Sequence, residues 1–298
     1  MNNSKTEQSS DHPPWLVRVG SRIEEEEDEI CPETPYYEIV RDLLLAPEDD
    51  DSAVAKAVTQ FYDLYVSEAG KEKREPPEYG AGYSLDSIAS IAFELTYEVW
   101  YTSAEHERLA KFLIAIKSGA ADKYDEEDPQ FVYFDWGLEA AADQSWNVSH
   151  VDYYTGKNSG EPEDPWAGPW FSTAALIAKV FQGGCLENAG PRWIAGDFKR
   201  TFELPTSGDI KTDAGRQAQV LATVNYILLA GEAFVAGAKG PSPKWHFEHT
   251  VMKWKLWASK VKEVADAVDE NARWDLKERA QRAYDKMVEL LPEAFESE

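Results

Sequence analysis

Three carboxylates, Asp135, Glu139 and Asp143, recur every four residues, and Asn147 and His150 continue nearly the same line. On a helix such positions share a face, so three like charges repel one another. They need a cationic counterpart: solvent and salt, a Lys or Arg from a neighbouring helix, or a divalent metal taking oxygen ligands. Trp136 and Trp146 flank them, and Trp166, Trp170 and Trp193 follow. Indoles bring flat apolar area and one N–H donor, which suits a packed core and a ligand cleft alike. A second pair, Asn225 and Glu232, lies two helical turns apart in an otherwise apolar stretch, Ala218 to Ala238. A carboxylate buried there must be paired, hydrogen-bonded or protonated. It would be tied to a Lys or Arg of a neighbour or would line a polar floor with Asn225. The candidate ligand-binding set is therefore Asp135, Trp136, Glu139, Asp143, Trp146, Trp170, Asn225 and Glu232; no catalytic residue is assigned.

Other chemistries find no matching pattern. The chain has no Gly-rich phosphate loop, no Gly-x-Ser-x-Gly elbow, no paired cysteines with zinc spacing and no His-Glu-x-x-His. His246-Phe247-Glu248-His249 comes nearest to a metal site, with two imidazoles three residues apart, but it follows Pro241 and Pro243 at a helix start, and no further ligand is identifiable. No metal and no cofactor is expected.

The elements that must position these residues read as helices. Pro35 opens a helix through Leu45, which Pro47 closes. Asp51 and Ser52 cap one running to about Glu68. Ser84 opens another, with Ile88, Ile91, Leu95 and Val99 on one face, and Ser103 begins one striped by Leu109, Leu113 and Ile116. Further helices are predicted near 130–148, 166–186, 192–202, 212–238, 247–270 and 272–291. Strand alternation and βαβ order are missing, so the fold class is all-α: a single multi-helix bundle wrapped around one central apolar helix. Gly231 and Gly237 on that helix would admit a neighbour at close range. Residues 1–33 read as a disordered acidic arm and 34–298 as the helical domain, with a loop or linker near 149–165.

Charge is unevenly placed. The 298 residues carry a net −25, and residues 1–164 hold 37 acidic against 13 basic side chains, a net of −24. Glu24 to Glu29, Glu48 to Asp51 and Asp125 to Asp128 are uninterrupted acidic runs, which repel themselves and stay solvated. Such a surplus excludes ordinary nucleic-acid binding, which needs Lys and Arg against phosphate. A 43% hydrophobic fraction excludes wholesale disorder. Gln219, Asn225 and Glu232 within the apolar stretch argue for a buried helix rather than a membrane span. No secretory leader is evident, and Cys31 and Cys185 read as free thiols, so an intracellular, cytoplasmic location is expected.

The segments Tyr97-Glu98-Val99-Trp100, Leu109-Ala110-Lys111-Phe112-Leu113, Asp135-Trp136-Gly137-Leu138, Ser145-Trp146-Asn147 and Trp170-Phe171-Ser172-Thr173-Ala174-Ala175-Leu176 resemble a filamentous-fungal family, domain of unknown function 3632. The resemblance spans about 35–292 and implies a helical fold and a fungal, intracellular origin, with no reaction to transfer. Lys179 stands where that family's pattern would have an arginine. The expected function is a non-catalytic binding or interaction protein with an aromatic, acidic cleft, whose partner is an apolar small molecule or a basic protein surface. Two alternatives stand beside it. One is a helical-bundle enzyme acting on an apolar small molecule, with metal assistance in the manner of terpenoid cyclases. The other is a scaffold subunit of a complex.

Overall fold

The most apolar stretch of the chain forms the longest helix, and the other helices gather around it. In the computed structural model, which describes residues 12–27, 29, 33–69, 81–123, 132–154, 167–187, 189–239 and 250–296, eleven α-helices and no strand occur among the described residues. They are α1 (Pro14–Glu25), α2 (Thr34–Leu45), α3 (Ala53–Ala69), α4 (Ala81–Glu94), α5 (Ala104–Lys123) and α6 (Val132–Tyr154), then α7 (Ala167–Gln182), α8 (Gly190–Phe202), α9 (Ala214–Lys239), α10 (Val251–Ala267) and α11 (Leu276–Leu290). The fold is the all-α bundle expected, with α9 as its apolar centre.

A helix apolar on every side has no face to give to water. Accordingly α9 packs along α7 on one side and α11 on another, with α8 and α10 completing its surroundings. By length and composition α9 could cross a membrane, yet 72% of its most apolar window is buried inside the bundle. Phe198 of α8, Phe234 of α9 and Trp254 and Trp257 of α10 form a continuous aromatic stack beside it, with Phe234 and Trp257 rings at 6.1 Å.

Side-chain caps start several helices. The Ser103 hydroxyl accepts from the His106 amide at 3.2 Å, Asp213 accepts from the Arg216 amide at 2.7 Å, and Thr250 from that of Lys253 at 3.3 Å. The end of α7 comes at Gln182, short of the expected Leu186. Gly184 adopts φ +83°, and the amides of Gly184 and Cys185 turn back to the carbonyls of Phe181 and Val180, the two-bond glycine stop of a helix.

Three boundaries differ from expectation. The segment expected to be a disordered acidic arm contains α1: Trp15 and Val19 are buried, Leu16 and Ile23 pack beside them, and Pro14 sits in the first turn. The acidic run that follows obscures this short apolar stripe in the sequence. Arg18 and Arg22 of α1 bind Glu94 and Glu98, so opposite charges from the chain itself anchor the helix. At the other end, 149–154 belongs to α6, because the helix runs through Val148 to Tyr154; 155–165 lies outside the described residues. Within α9, Ala230 has φ −138° and ψ 21°, a break in the helix that the apolar pattern does not announce.

Candidate functional site

The acidic face of α6 meets α8 and α9 in a closed polar junction. Asp143 accepts from the Trp193 indole N–H at 3.1 Å and from the Asn147 amide at 3.0 Å. One turn on, the Trp146 N–H donates to Asp197 of α8 at 3.1 Å, and the two indoles stack with centroids 6.1 Å apart. Asp197 also accepts from Arg200 at 2.6 Å and from the Tyr226 hydroxyl of α9 at 3.0 Å. Burial, and then the adjacent Asp197, push the Tyr226 hydroxyl well above its ordinary pKa, so it remains a donor. The Arg200 guanidinium lies over the Trp146 ring at 4.6 Å. Arg200 pairs with Asp197 of α8, while Asp143 of α6 accepts from neutral N–H donors. The junction joins three helices through hydrogen bonds between their side chains.

The remaining predicted site residues scatter. Asp135 lies on α6 at a position whose side chain is outside those described. Trp136 is 61% exposed and lines no cleft with Trp146. Glu139 is half-buried with its side chain engaged. Trp170 is buried in the core on α7. Asn225 and Glu232 do not share a floor. Both face α11, Asn225 against Arg279 and Glu232 against Lys286 at 2.9 Å, but Asn225 is buried and Glu232 is half-exposed, so they line no common buried surface. Burial raises the Glu232 carboxyl, but Lys286 outweighs it and holds the group below its ordinary range. Just beyond the break at Ala230, a Cβ on Gly231 would meet Leu290 at 2.8 Å, so the glycine admits α11 at close range, as its position suggested. The eight residues therefore do not converge on one cavity. The His246 and His249 pair lies outside the described residues; among those described, no group of three His, Cys, Asp or Glu could hold a metal ion.

Asn225 belongs to a second constellation, between α9 and α11. Its Oδ1 accepts from Arg279 of α11 at 3.3 Å, and that guanidinium lies 5.2 Å from the centre of the Tyr101 ring. Tyr101 packs on Trp100 at 5.0 Å and on Phe171 at 6.2 Å. Phe171 in turn meets Trp100 at 6.0 Å and Trp274 at 4.9 Å, edge to face. Tyr101 and Phe171 are buried, Trp274 is half-buried, and Trp100, 42% exposed, opens the cluster to solvent. Burial raises the Tyr101 hydroxyl, against the lowering effects of Arg279 and the Asn225 amide beside it, with Asp275 adding to the rise. Asn225 is only 1% exposed, and its Nδ2 meets hydrogen-bond geometry with no described atom. Arg279 forms no ion pair among the described residues. Trp274 and Asp275 both adopt left-handed backbone, φ 58° and 56°, which costs about 1 kcal/mol or more per non-glycine residue.

A neighbouring cluster is structural in form. Lys179 donates to the Tyr101 carbonyl at 3.2 Å and to His106 Nδ1 at 3.1 Å, and pairs with Glu107 at 3.1 Å. An ammonium only donates, so Nδ1 accepts and the ring proton sits on Nε2, directed to the Ser172 carbonyl at 2.9 Å. Burial, and then Lys179, lower the His106 pKa to about 4, keeping the ring neutral. Lys179 thus fixes the loop that carries Tyr101.

Tyr101, Phe171, Trp274, Arg279, Asp197 and His106 were not identified from sequence as site residues. Trp193, Asp197 and Arg200 at spacings of four and three were a readable signal, whereas nothing in the sequence links Tyr101 to Arg279. Comparison with protein-family models, with curated proteins and with solved structures gives no match for this chain.

Proposed function

We propose that the chain is a non-catalytic binding protein whose ligand sits where Trp100, Tyr101, Phe171 and Trp274 meet Arg279 and Asn225. The observation that carries this reading is the Asn225 amide nitrogen, buried with the Tyr101 hydroxyl beside it but with no acceptor in full hydrogen-bond geometry. A buried donor left unsatisfied costs about 1–3 kcal/mol, so it marks a position prepared for an incoming group. Aromatic walls with a few convergent polar groups are the usual makings of a small-molecule site. Binding is favoured over acid–base catalysis because Asp143 and Asp197 are already engaged by N–H and O–H donors. An intracellular setting suits the buried free thiol of Cys185. Kinship with the fungal family of domain of unknown function 3632 is part of the same proposal, supported by the motifs around Trp100, Trp146 and Trp170 and in keeping with the all-α fold.

A thermal-shift screen of small molecules on the full chain, repeated on Asn225→Leu, tests the reading. Binders should raise the melting temperature of the wild type and lose that effect in the variant. The reading fails if every compound that shifts the wild type shifts the variant equally.

A further inference from the structure

We infer that the ligand is a monoanionic carboxylate carried on an aromatic or other apolar body, an inference that rests on the binding reading above. The polar groups offered are donors. The Asn225 oxygen accepts from Arg279, leaving the amide nitrogen, which lies beside the Tyr101 hydroxyl, and the remaining N–H groups of the guanidinium. Burial keeps the Tyr101 hydroxyl protonated, adding a further donor. A set made of donors selects an acceptor, and a planar guanidinium fork matches a carboxylate with two parallel bonds.

Charge magnitude selects among anions. Arg279 supplies one positive charge without a paired carboxylate among the described residues. Asp275 lies close enough to act on Tyr101, and the whole chain carries a net −25. A monoanion matches the single guanidinium, whereas a phosphate dianion would bring surplus negative charge into an already negative field. The rest of the ligand is apolar, because the groups beside the guanidinium and the amide are the rings of Tyr101, Phe171, Trp100 and Trp274, packed on one another with Trp100 partly open to solvent. The left-handed pair at Trp274 and Asp275 presents the Trp274 ring to Phe171 from a backbone that a relaxed turn would not choose. Strain of this kind concentrates where side chains are held for a ligand.

Tryptophan fluorescence and calorimetric titration of the full chain test the inference, with phenylacetate, indoleacetate and octanoate as probes. Phenylacetamide serves as the neutral control and phenyl phosphate as the dianion. The acids should perturb the fluorescence and bind about tenfold to a hundredfold more tightly than the amide. Arg279→Gln should erase that preference, and Arg279→Lys, which keeps the charge, should restore part of it. Asn225→Leu should weaken the acids by about tenfold. Near-ultraviolet circular dichroism verifies folding of each variant, and if both Arg279 variants unfold, Asn225→Leu decides alone. Equal binding of amide and acid, or tighter binding of phenyl phosphate, overturns the carboxylate inference while leaving the binding reading in place. If no probe perturbs the wild type, the carboxylate inference falls, and the small-molecule screen decides the binding reading separately.

Discussion

Asp197 is the residue on which the α6, α8 and α9 junction depends, because it alone accepts from Trp146, Arg200 and Tyr226. Replacing it with alanine strands a buried hydroxyl and an indole N–H, so Asp197→Ala should destabilise the fold by about 3 kcal/mol in a urea titration. Asp197→Asn, which keeps an acceptor, should cost less. His106 makes the pH prediction. Its folded pKa of about 4 lies below the unfolded value of 6.5, so in the window between them only the unfolded state binds the proton. Its contribution is fully present above 6.5 and is lost as pH falls toward 4, a decline of about 3 kcal/mol. Lys179 and Glu107 are the charged groups facing the ring. His106→Gln keeps a donor for Ser172 and should flatten this part of the stability profile. An unchanged slope between the two proteins would show that the ring is not kept neutral by its surroundings. At this scale the sequence identified Asp143 and Trp146 but not their partners, since a helical spacing says which residues share a face and nothing about what the face meets.

Among the elements, α1 shows how a local pattern can be read in part. It buries Trp15 and Val19, with Leu16 and Ile23 beside them, and ion pairs add to that attachment. One oxygen of Glu94 accepts from Arg18 at 3.1 Å and from Arg22 at 2.8 Å, while the other accepts from the Tyr37 hydroxyl at 3.3 Å. Glu94 holds the Arg22 pKa above its ordinary value, the most strongly raised of the two arginines. Partly exposed pairs of this kind contribute roughly 0.2–1 kcal/mol each and weaken with salt. Glu94→Gln should therefore speed hydrogen exchange of the α1 amides by about tenfold while leaving those of α7 and α9 unchanged. Equal acceleration across the bundle would mean that α1 does not open independently. The start of α2 after Pro35 and the caps of α5 and α9 were legible because capping is local chemistry. The break at Ala230 was not, since the residues around it are uniformly apolar and carry no local stop signal.

For the whole molecule, the core and the charge pull in opposite directions. Phe234 is fully buried between Phe198, Trp254 and Trp257, and Phe234→Ala should cost about 3–5 kcal/mol through lost burial and the cavity left behind. A net charge of −25 strains the compact state through self-repulsion, which salt screens. The melting temperature should rise between about 10 mM and 150 mM salt, although the α1 pairs loosen over the same range. A fall instead would mean that specific ion pairs outweigh the net charge.

By itself the sequence determined the class, the number and approximate limits of the helices from Tyr36 onward, and the identity of the central one. Periodicity, capping residues and glycine or proline stops act within a few residues, and helix–helix burial follows from which faces are apolar. Tertiary structure alone brought together the residues of the proposed site. Tyr101, Phe171, Asn225, Trp274 and Arg279 come from five separate segments, and their chemistry exists only once α7, α9 and α11 bring them together. The same packing used Asp143, Asp197 and Glu232 in structural bonds, because a buried or half-buried charge is stabilised by whatever partner folding places beside it.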